Sequence, residues 1–502
     1  MNITTLPFML FILIGAIIYY VIPKKTQWIW LLIMSCYFYW QGGKDGILYI
    51  IFACVTIWGG ALGIKKIEDD KKKKLLYRTV LIANLGILIV IKGLLFASAM
   101  ELMQGRLSAV IMPLALSFYT LTAVSYLTDV YWEKIEAEKN PVRLLLFLSF
   151  FPAVVQGPIA RYKELGEQFK SAHEFDIDVF EAGLLRIIWG FFKKAVIADR
   201  LVDAVAFIFD EGNANSALFV FFGAVLYAIQ QYGDFSGGID IVTGAAKIYG
   251  IDLAPNFERP YFSKSLGEFW RRWHISLGAW MKDYVFYPFS VSQGTRKLSK
   301  WAKNKWSKQA GKVLPVVLGN LLVFLLVGLW HGYYLHFIVW GIYNGAIIAF
   351  SATMEPTYKK WRAFFKITDS TKWFKVFQVV RTFLIFVIGG IFDRAVTMKD
   401  SLRMFKLFFV GPYRFAGSFS ESIKVTLEQF DFGRFDVIFV LAAVMILFVC
   451  ELYEEMSGKS FRETVMKLKL PIRWLVLIAF IYFVIAAHVD LGANTEFLYG
   501  GF

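Results

Sequence analysis

The side chains best placed to do proton chemistry near neutral pH are five histidines: His173, His274, His331, His336 and His488. Their surroundings differ. His331 directly follows the apolar run Val313 to Trp330 and precedes Gly332, which leaves its ring room to meet a substrate. An imidazole there can take a proton from a hydroxyl as a general base, and it can equally be a buried ring bonded to a nearby carbonyl. His336 lies five residues later, about 140° around a helix, so the two do not share a face and no paired metal site is expected. A structural or substrate-channel role fits His336. His488, near the end of the last apolar run and close to Asp490, reads as interfacial, and His173, in the polar segment Lys170 to Asp176, as a surface loop residue. His274 sits in Phe269-Trp270-Arg271-Arg272-Trp273-His274-Ile275-Ser276. Two tryptophans around two arginines read either as an interfacial anchor or as a half-buried helix that brings Arg271, Arg272 and His274 to an anionic donor.

Other chemistries find no support. The run Gly233-Asp234-Phe235-Ser236-Gly237-Gly238 lacks the ending of a phosphate-binding loop and reads as a break between helices. No GxSxG elbow occurs, and Cys36, Cys54 and Cys450 have no CxxC partner, so neither a serine hydrolase nor a zinc site is expected.

The elements that must position these residues are membrane helices. Of the 502 residues 57% are hydrophobic and 19% charged, too few polar residues to cover a soluble chain of this size. The net charge of +15 comes from short Lys and Arg blocks between apolar runs, which suits cytoplasmic loops and argues against nucleic acid as a partner. A span needs about 20 apolar residues. Clear candidates are Leu6 to Ile22, Gly46 to Ile64, Leu75 to Phe96, Ala217 to Gln230, Val313 to Trp330, Phe337 to Met354, Val376 to Ile391, Phe435 to Leu452 and Ile472 to His488. Shorter or broken runs at Trp28 to Trp40, Val110 to Tyr131, Leu144 to Gln156 and Leu184 to Ile208 bring the expectation to ten to twelve, some of them re-entrant. Leu6 to Ile22 has no preceding positive residue and no cleavage site, so it reads as a retained helix. Lys24 with Lys25, the run Lys65 to Lys74, and Arg296 to Lys312, with seven basic and no acidic residues, read as cytoplasmic and place the N-terminus outside. No internal repeat is visible, which disfavours a transporter or flippase built from inverted repeats.

Several ordered blocks between about Pro113 and Gly345 carry a family resemblance. They are Met112 to Thr120 with Ser125 to Tyr131; Phe151-Pro152 with Gln156 to Arg161; Asp234 to Gly237, Asn256-Phe257, Pro260-Tyr261, Phe269 to Ser276, Trp280 and Asp283-Tyr284; and Gly328-Leu329-Trp330-His331-Gly332 with Trp340-Gly341. In combination they resemble the membrane-bound O-acyltransferase family, in its bacterial alginate O-acetylation branch, and the aromatic end Phe497 to Tyr499 with Phe502 is similar to that branch. The resemblance implies an all-α polytopic fold, a curved bundle with re-entrant segments and a central tunnel. It implies one transmembrane domain over 1–502, with N-terminal helices at 1–109, a core at about 110–400 and C-terminal helices at 401–502. His331 matches the family's catalytic histidine and His274 its second polar position. Arg271, Arg272, Trp273, Ser276, Lys282, Asp234, Ser236, Asn256, Trp330 and Asn344 are the expected donor-binding or tunnel residues, with phosphates of the donor meeting Arg271, Arg272 or Lys282.

The implied activity is transfer of an acyl group, with acetyl-CoA as donor substrate and no bound cofactor, to a cell-surface glycan such as an alginate-like polymer, cellulose or a wall glycan. The implied setting is the bacterial cytoplasmic membrane, with an SGNH-type acyltransferase as partner and a polysaccharide as acceptor. Two departures point away from alginate itself: Phe289 to Gly294 replaces a Gly-Gly-Asn-Arg element, and Asn344 stands where relatives often carry a further histidine. A D-alanyl transfer protein of teichoic acids, fed by a carrier-protein thioester, is the alternative within the family.

Overall fold

The computed structural model describes residues 2–43, 46–99, 113–210, 214, 216–368, 370–411 and 434–491. Met112, Phe497 to Tyr499, Phe502 and the His488 side chain lie outside these. The described chain is helical, with one isolated antiparallel bridge, Phe257 to Trp273. Its helices are α1 (Leu6–Val21), α2 (Gln27–Gly43), α3 (Ile47–Lys66), α4 (Asp70–Ala99), α5 (Leu116–Tyr131), α6 (Pro141–Ser149), α7 (Phe151–Val154), α8 (Ile177–Phe191), α9 (Val202–Phe209) and α10 (Ala217–Ile248). There follow α11 (Leu266–Arg272), α12 (Ile275–Met281), α13 (Tyr287–Ser290), α14 (Gln293–Lys305), α15 (Lys308–His331), α16 (Leu335–Phe364), α17 (Lys372–Arg394) and α18 (Met398–Val410), then Arg434–Ser457, Phe461–Met466 and Leu470–Leu491.

Among the described residues six helices are long and apolar enough to cross a bilayer: α3, α4, α15, α16, α17 and the helix ending at Ser457. The chain is a multi-pass membrane protein. Leu6–Val21 and Leu470–Ala486 are shorter apolar helices. The further spans expected from the sequence are helical but limited in other ways. α2, α5 and α8 have 17, 16 and 15 residues, and α10 takes in the carboxylates of Asp234 and Asp240.

The chain folds as two compact units. One comprises Met1–Val196, Gly233–Pro255 and Lys459–Phe502. Its core draws on Phe8, Ile12 and Tyr19 of α1, Phe38 of α2, Ile57 of α3, Tyr126 of α5, Phe151 and Tyr249, all almost fully buried. The glycine run 233–238 departs from expectation: it lies inside the continuous helix α10 and breaks nothing. The reason is packing. A Cβ on Gly190 of α8 would stand 2.6 Å from the Gly237 carbonyl, and one on Gly244 would stand 2.6 Å from the Gly183 carbonyl. Two glycines seven residues apart on each helix thus let the backbones touch, as small residues do between membrane helices.

That approach closes over buried charge. α8 continues into a wider π-helical stretch, Phe192–Ala198, carrying Lys193 and Lys194. Lys194 Nζ lies 2.6 Å from Asp234 Oδ1, with both side chains at most 3% exposed. Asp240 receives Lys193 at 2.7 Å, Arg186 at 2.8 Å and Arg462 at 2.9 Å, and Lys193 also donates to Ser236 Oγ at 2.8 Å.

The other unit comprises Ile197–Tyr232 and Asn256–Gly458. Its centre is the antiparallel pair α15 and α16, where a Cβ on Gly328 would meet the Phe337 carbonyl at 2.5 Å. Beside it, Trp273 is 2% exposed and packs among Phe257, Phe269 and Phe386 with ring centroids 5.0, 5.5 and 5.5 Å away.

Removing one partner of a buried ion pair strands the other charge, at a cost of about 3–5 kcal/mol. Lys194→Ala is therefore expected to lower the unfolding temperature of the detergent-solubilised protein, followed by tryptophan fluorescence. The paired change Lys194→Met with Asp234→Leu should recover most of the loss, and a Lys194→Ala protein as stable as wild type would rule the pair out as a structural element.

Candidate active site

His331 is the last residue of α15, and its ring is clasped by aromatic side chains from both sides of the turn. Trp340 of α16 lies 4.7 Å away, centroid to centroid, Trp330 5.4 Å and Phe337 5.9 Å. Its Nδ1 faces Asp393 Oδ1 at 3.7 Å, with the two side chains 4% and 5% exposed. That separation is too long for a hydrogen bond but close enough for the carboxylate to stabilise the ring once it is protonated.

Asp393 stands at the penultimate position of α17, where the negative end of the helix disfavours a carboxylate. Hydrogen bonds hold it there. Oδ2 accepts from the Tyr227 hydroxyl at 2.7 Å and from Gln231 Nε2 at 2.9 Å, two donors four residues apart on one face of α10. The next residue, Arg394, grips Asp210 with two bonds of 2.6 Å. His336 completes the support, its Nδ1 3.0 Å from the Phe392 carbonyl. A carbonyl only accepts, so that nitrogen carries the proton and His336 ties the start of α16 to the end of α17.

His274 is built differently. It is 4% exposed and joins α11 to α12 with φ 47°, a left-handed conformation that strains a non-glycine residue by about 1–2 kcal/mol. Short backbone pairing holds the strain: Ile275 N donates to Asn256 O at 3.0 Å and Glu258 N to Arg272 O at 2.9 Å. The Asn256 side chain then orders the ring. Its Oδ1 accepts from Ser276 N at 3.0 Å and Ser276 Oγ at 2.8 Å, and it lies 3.2 Å from His274 Nδ1. An oxygen that accepts from an amide must also accept from the imidazole, so Nδ1 bears the hydrogen and Nε2 the lone pair. Burial pushes the ring down to about 3, so it is neutral. The rings of His274 and His331 flank one indole, that of Trp330, at 6.1 and 5.4 Å.

Asn344 binds the same assembly from α16. Its Oδ1 accepts from Trp270 Nε1 at 3.1 Å, and Trp270 meets Trp340 edge-on at 5.5 Å. Trp330, Asn256, Ser276 and Asn344 therefore gather with His331 and His274. Four other expected residues are engaged elsewhere. Arg272 is tied to Glu268 at 2.7 Å and Glu455 at 2.9 Å, so its charge is answered within the protein, and Trp273 is core. Asp234 and Ser236 belong to the other unit and hold Lys194 and Lys193. Arg271 and Lys282 are exposed. His173, expected on a surface loop, is half-buried, its Nδ1 2.9 Å from the Tyr19 hydroxyl. The sequence reading missed Asp393, Tyr227 and Gln231. A carboxylate just beyond the apolar run Val376 to Ile391 was the available signal, since an ionisable group in a span marks function by default.

Comparison with known proteins gives the family. The family model described as MBOAT, membrane-bound O-acyltransferase family, matches residues 138–304. The probable alginate O-acetylase AlgI of Pseudomonas fluorescens is 31% identical over 400 residues, 80% of this chain and 74% of that protein. The chain belongs to the membrane-bound O-acyltransferase family. It is also similar to the peptidoglycan O-acetyltransferase of Helicobacter pylori, at 28% identity over 75% of this chain and 73% of the relative. The teichoic acid D-alanyltransferase of Bacillus subtilis is 30% identical over 54% of this chain and 65% of its own. Within this acyltransferase, the residues from Asn256 to Lys282 fall inside the matched segment, whereas His331, Asn344 and Asp393 lie beyond it.

Asn256→Ala would leave the Ser276 and His274 donors without their common acceptor, and each buried donor so stranded costs about 1–3 kcal/mol. The variant is expected to melt at a lower temperature than Ser276→Ala, which removes one bond only. Equal melting temperatures would show that Asn256 does not organise the turn.

Proposed function

We propose that this acyltransferase moves an acetyl group from acetyl-CoA on the cytoplasmic side of the bacterial cytoplasmic membrane to a hydroxyl destined for a cell-surface polysaccharide. The observation that carries the reading is the buried pair His331 and Asp393, with the carboxylate fixed by Tyr227 and Gln231. With Asp393 facing Nδ1, Nε2 is the nitrogen we assign to the substrate. It takes the proton of the acceptor hydroxyl as the oxygen attacks the thioester carbonyl. The positive ring that forms is stabilised by Asp393 and by the negative end of α15, as in a histidine–carboxylate pair of a hydrolase. When the tetrahedral intermediate collapses, the carbon–sulfur bond breaks and the proton passes to the departing thiolate, giving ester and thiol. The neutral Nε2 of His274, across Trp330, is the second polar group for the reacting acyl chain.

The names of the alginate and peptidoglycan relatives support acetyl as the group and a glycan as the final acceptor. Because that glycan lies outside the membrane, a partner of SGNH type would receive the acetyl group and deliver it. A second reading, D-alanyl transfer from a carrier-protein thioester, rests on the likeness to the Bacillus protein.

Incubating the purified protein with labelled acetyl-CoA, a candidate partner and glycan tests the reading. His331→Ala is expected to abolish transfer without lowering the melting temperature. Asp393→Asn should lower kcat roughly a hundredfold to ten-thousandfold with KM little changed. Retained turnover in His331→Ala would end the assignment; activity that appears only with a small acidic carrier protein would select the D-alanyl reading.

A further inference from the structure

α14 and the first turns of α15 form a strongly basic surface that the acyl-transfer reading leaves unused. Arg296, Ser299, Lys300 and Lys303 recur at the three- and four-residue steps that put them on one face of α14, and Lys308, Gly311, Lys312 and Pro315 do the same on α15. These two stripes, with Ser290 and Thr295, line one open cleft of about 510 Å³. The helices meet closely at its floor, where Ser299 Oγ donates to the Gly311 carbonyl at 2.6 Å. All five cations of the cleft are exposed. No acidic residue occurs anywhere between Asp283 and Glu355, and among the described residues none of the five has an ion pair. Five like charges around one cleft call for a ligand with more than one negative charge.

Distance excludes the thioester donor. Lys312 and His331 are 19 positions apart on the same helix, a rise of roughly 28 Å, longer than an acyl-pantetheine arm. Phosphates held in the cleft would keep the acyl carbon away from His331. The surroundings fit a lipid instead. α15 is a membrane-crossing helix, so the cleft stands at the level of the headgroups. Trp301 and Trp306 are 50% and 62% exposed beside it, as indoles are at an interface, and Val291 and Val316 offer apolar surface to acyl chains. A basic amphipathic helix next to a span is a known form of anionic-lipid site.

We infer that the α14–α15 cleft binds the headgroup of a diphosphate-bearing anionic phospholipid of the cardiolipin type. Each phosphate meets cations from both helices, and the acyl chains run along the exposed face of α15.

The test uses the full-length protein in detergent, titrated with fluorescent cardiolipin. It is compared with Lys300→Gln/Lys303→Gln/Lys312→Gln and with a control of equal charge loss, Lys71→Gln/Lys72→Gln/Lys74→Gln, on the exposed start of α4. Saturable binding is expected in wild type and control, weakened at least about tenfold in the cleft variant. Phosphatidylglycerol, with one phosphate, should compete less well, and pyrophosphate or adenosine diphosphate should not displace the lipid at matched concentration. Equal affinity in all three proteins would overturn the proposal. Displacement by either soluble polyphosphate would overturn it too, and would assign the cleft to a soluble ligand. Neither result bears on acyl transfer, which His331→Ala reports separately.

Discussion

The candidate active site depends on how closely α15 and α16 approach. Where Gly328 meets the Phe337 carbonyl and Gly341 meets that of Phe324, neither helix has a side chain to hold the backbones apart. In a bilayer this contact must come from van der Waals packing, because lipid tails supply no hydrophobic drive between apolar helices. The close approach brings Trp340 against the ring at the end of α15. It also places His336, at the start of α16, where it bonds the Phe392 carbonyl beside Asp393. A histidine at a helix end becomes a histidine with one defined carboxylate and three aromatic walls.

The two histidines of the site are prepared by opposite means. His274 is held neutral in a strained turn, its tautomer set by an oxygen that already accepts two bonds from Ser276. His331 faces a carboxylate whose other oxygen is occupied by Tyr227 and Gln231. The first arrangement offers a lone pair at a fixed place, and the second can accommodate a proton. In a dry interior each polar group must be satisfied or it becomes a liability, so this network orders the site and stabilises the fold at once.

Charge is treated differently along the chain. Around Asp234 and Asp240, cations are buried and matched by carboxylates, which clamps α8 on α10. On α14 and α15 the cations are exposed and have no acidic neighbour in sequence. Buried pairs are satisfied within the protein, whereas exposed stripes look outward for their counter-charge.

The amino-acid sequence by itself determined the membrane class, most of the long helices, and the prominence of His331, because these rest on local runs and ordered blocks. Spacing also ruled out a shared helix face for His331 and His336. Only the tertiary structure brings the groups of the candidate site together. Asp393 lies 62 positions from His331 and 166 from Tyr227, so no local pattern joins them. Arg272 looked available for a donor until Glu455, 183 residues away, was found bound to it. The glycines at 233–238 read as a break because glycine is a poor helix former, yet they are where α8 touches α10. In each case the deciding interaction is one of partner and distance between remote segments, and only folding brings those segments together.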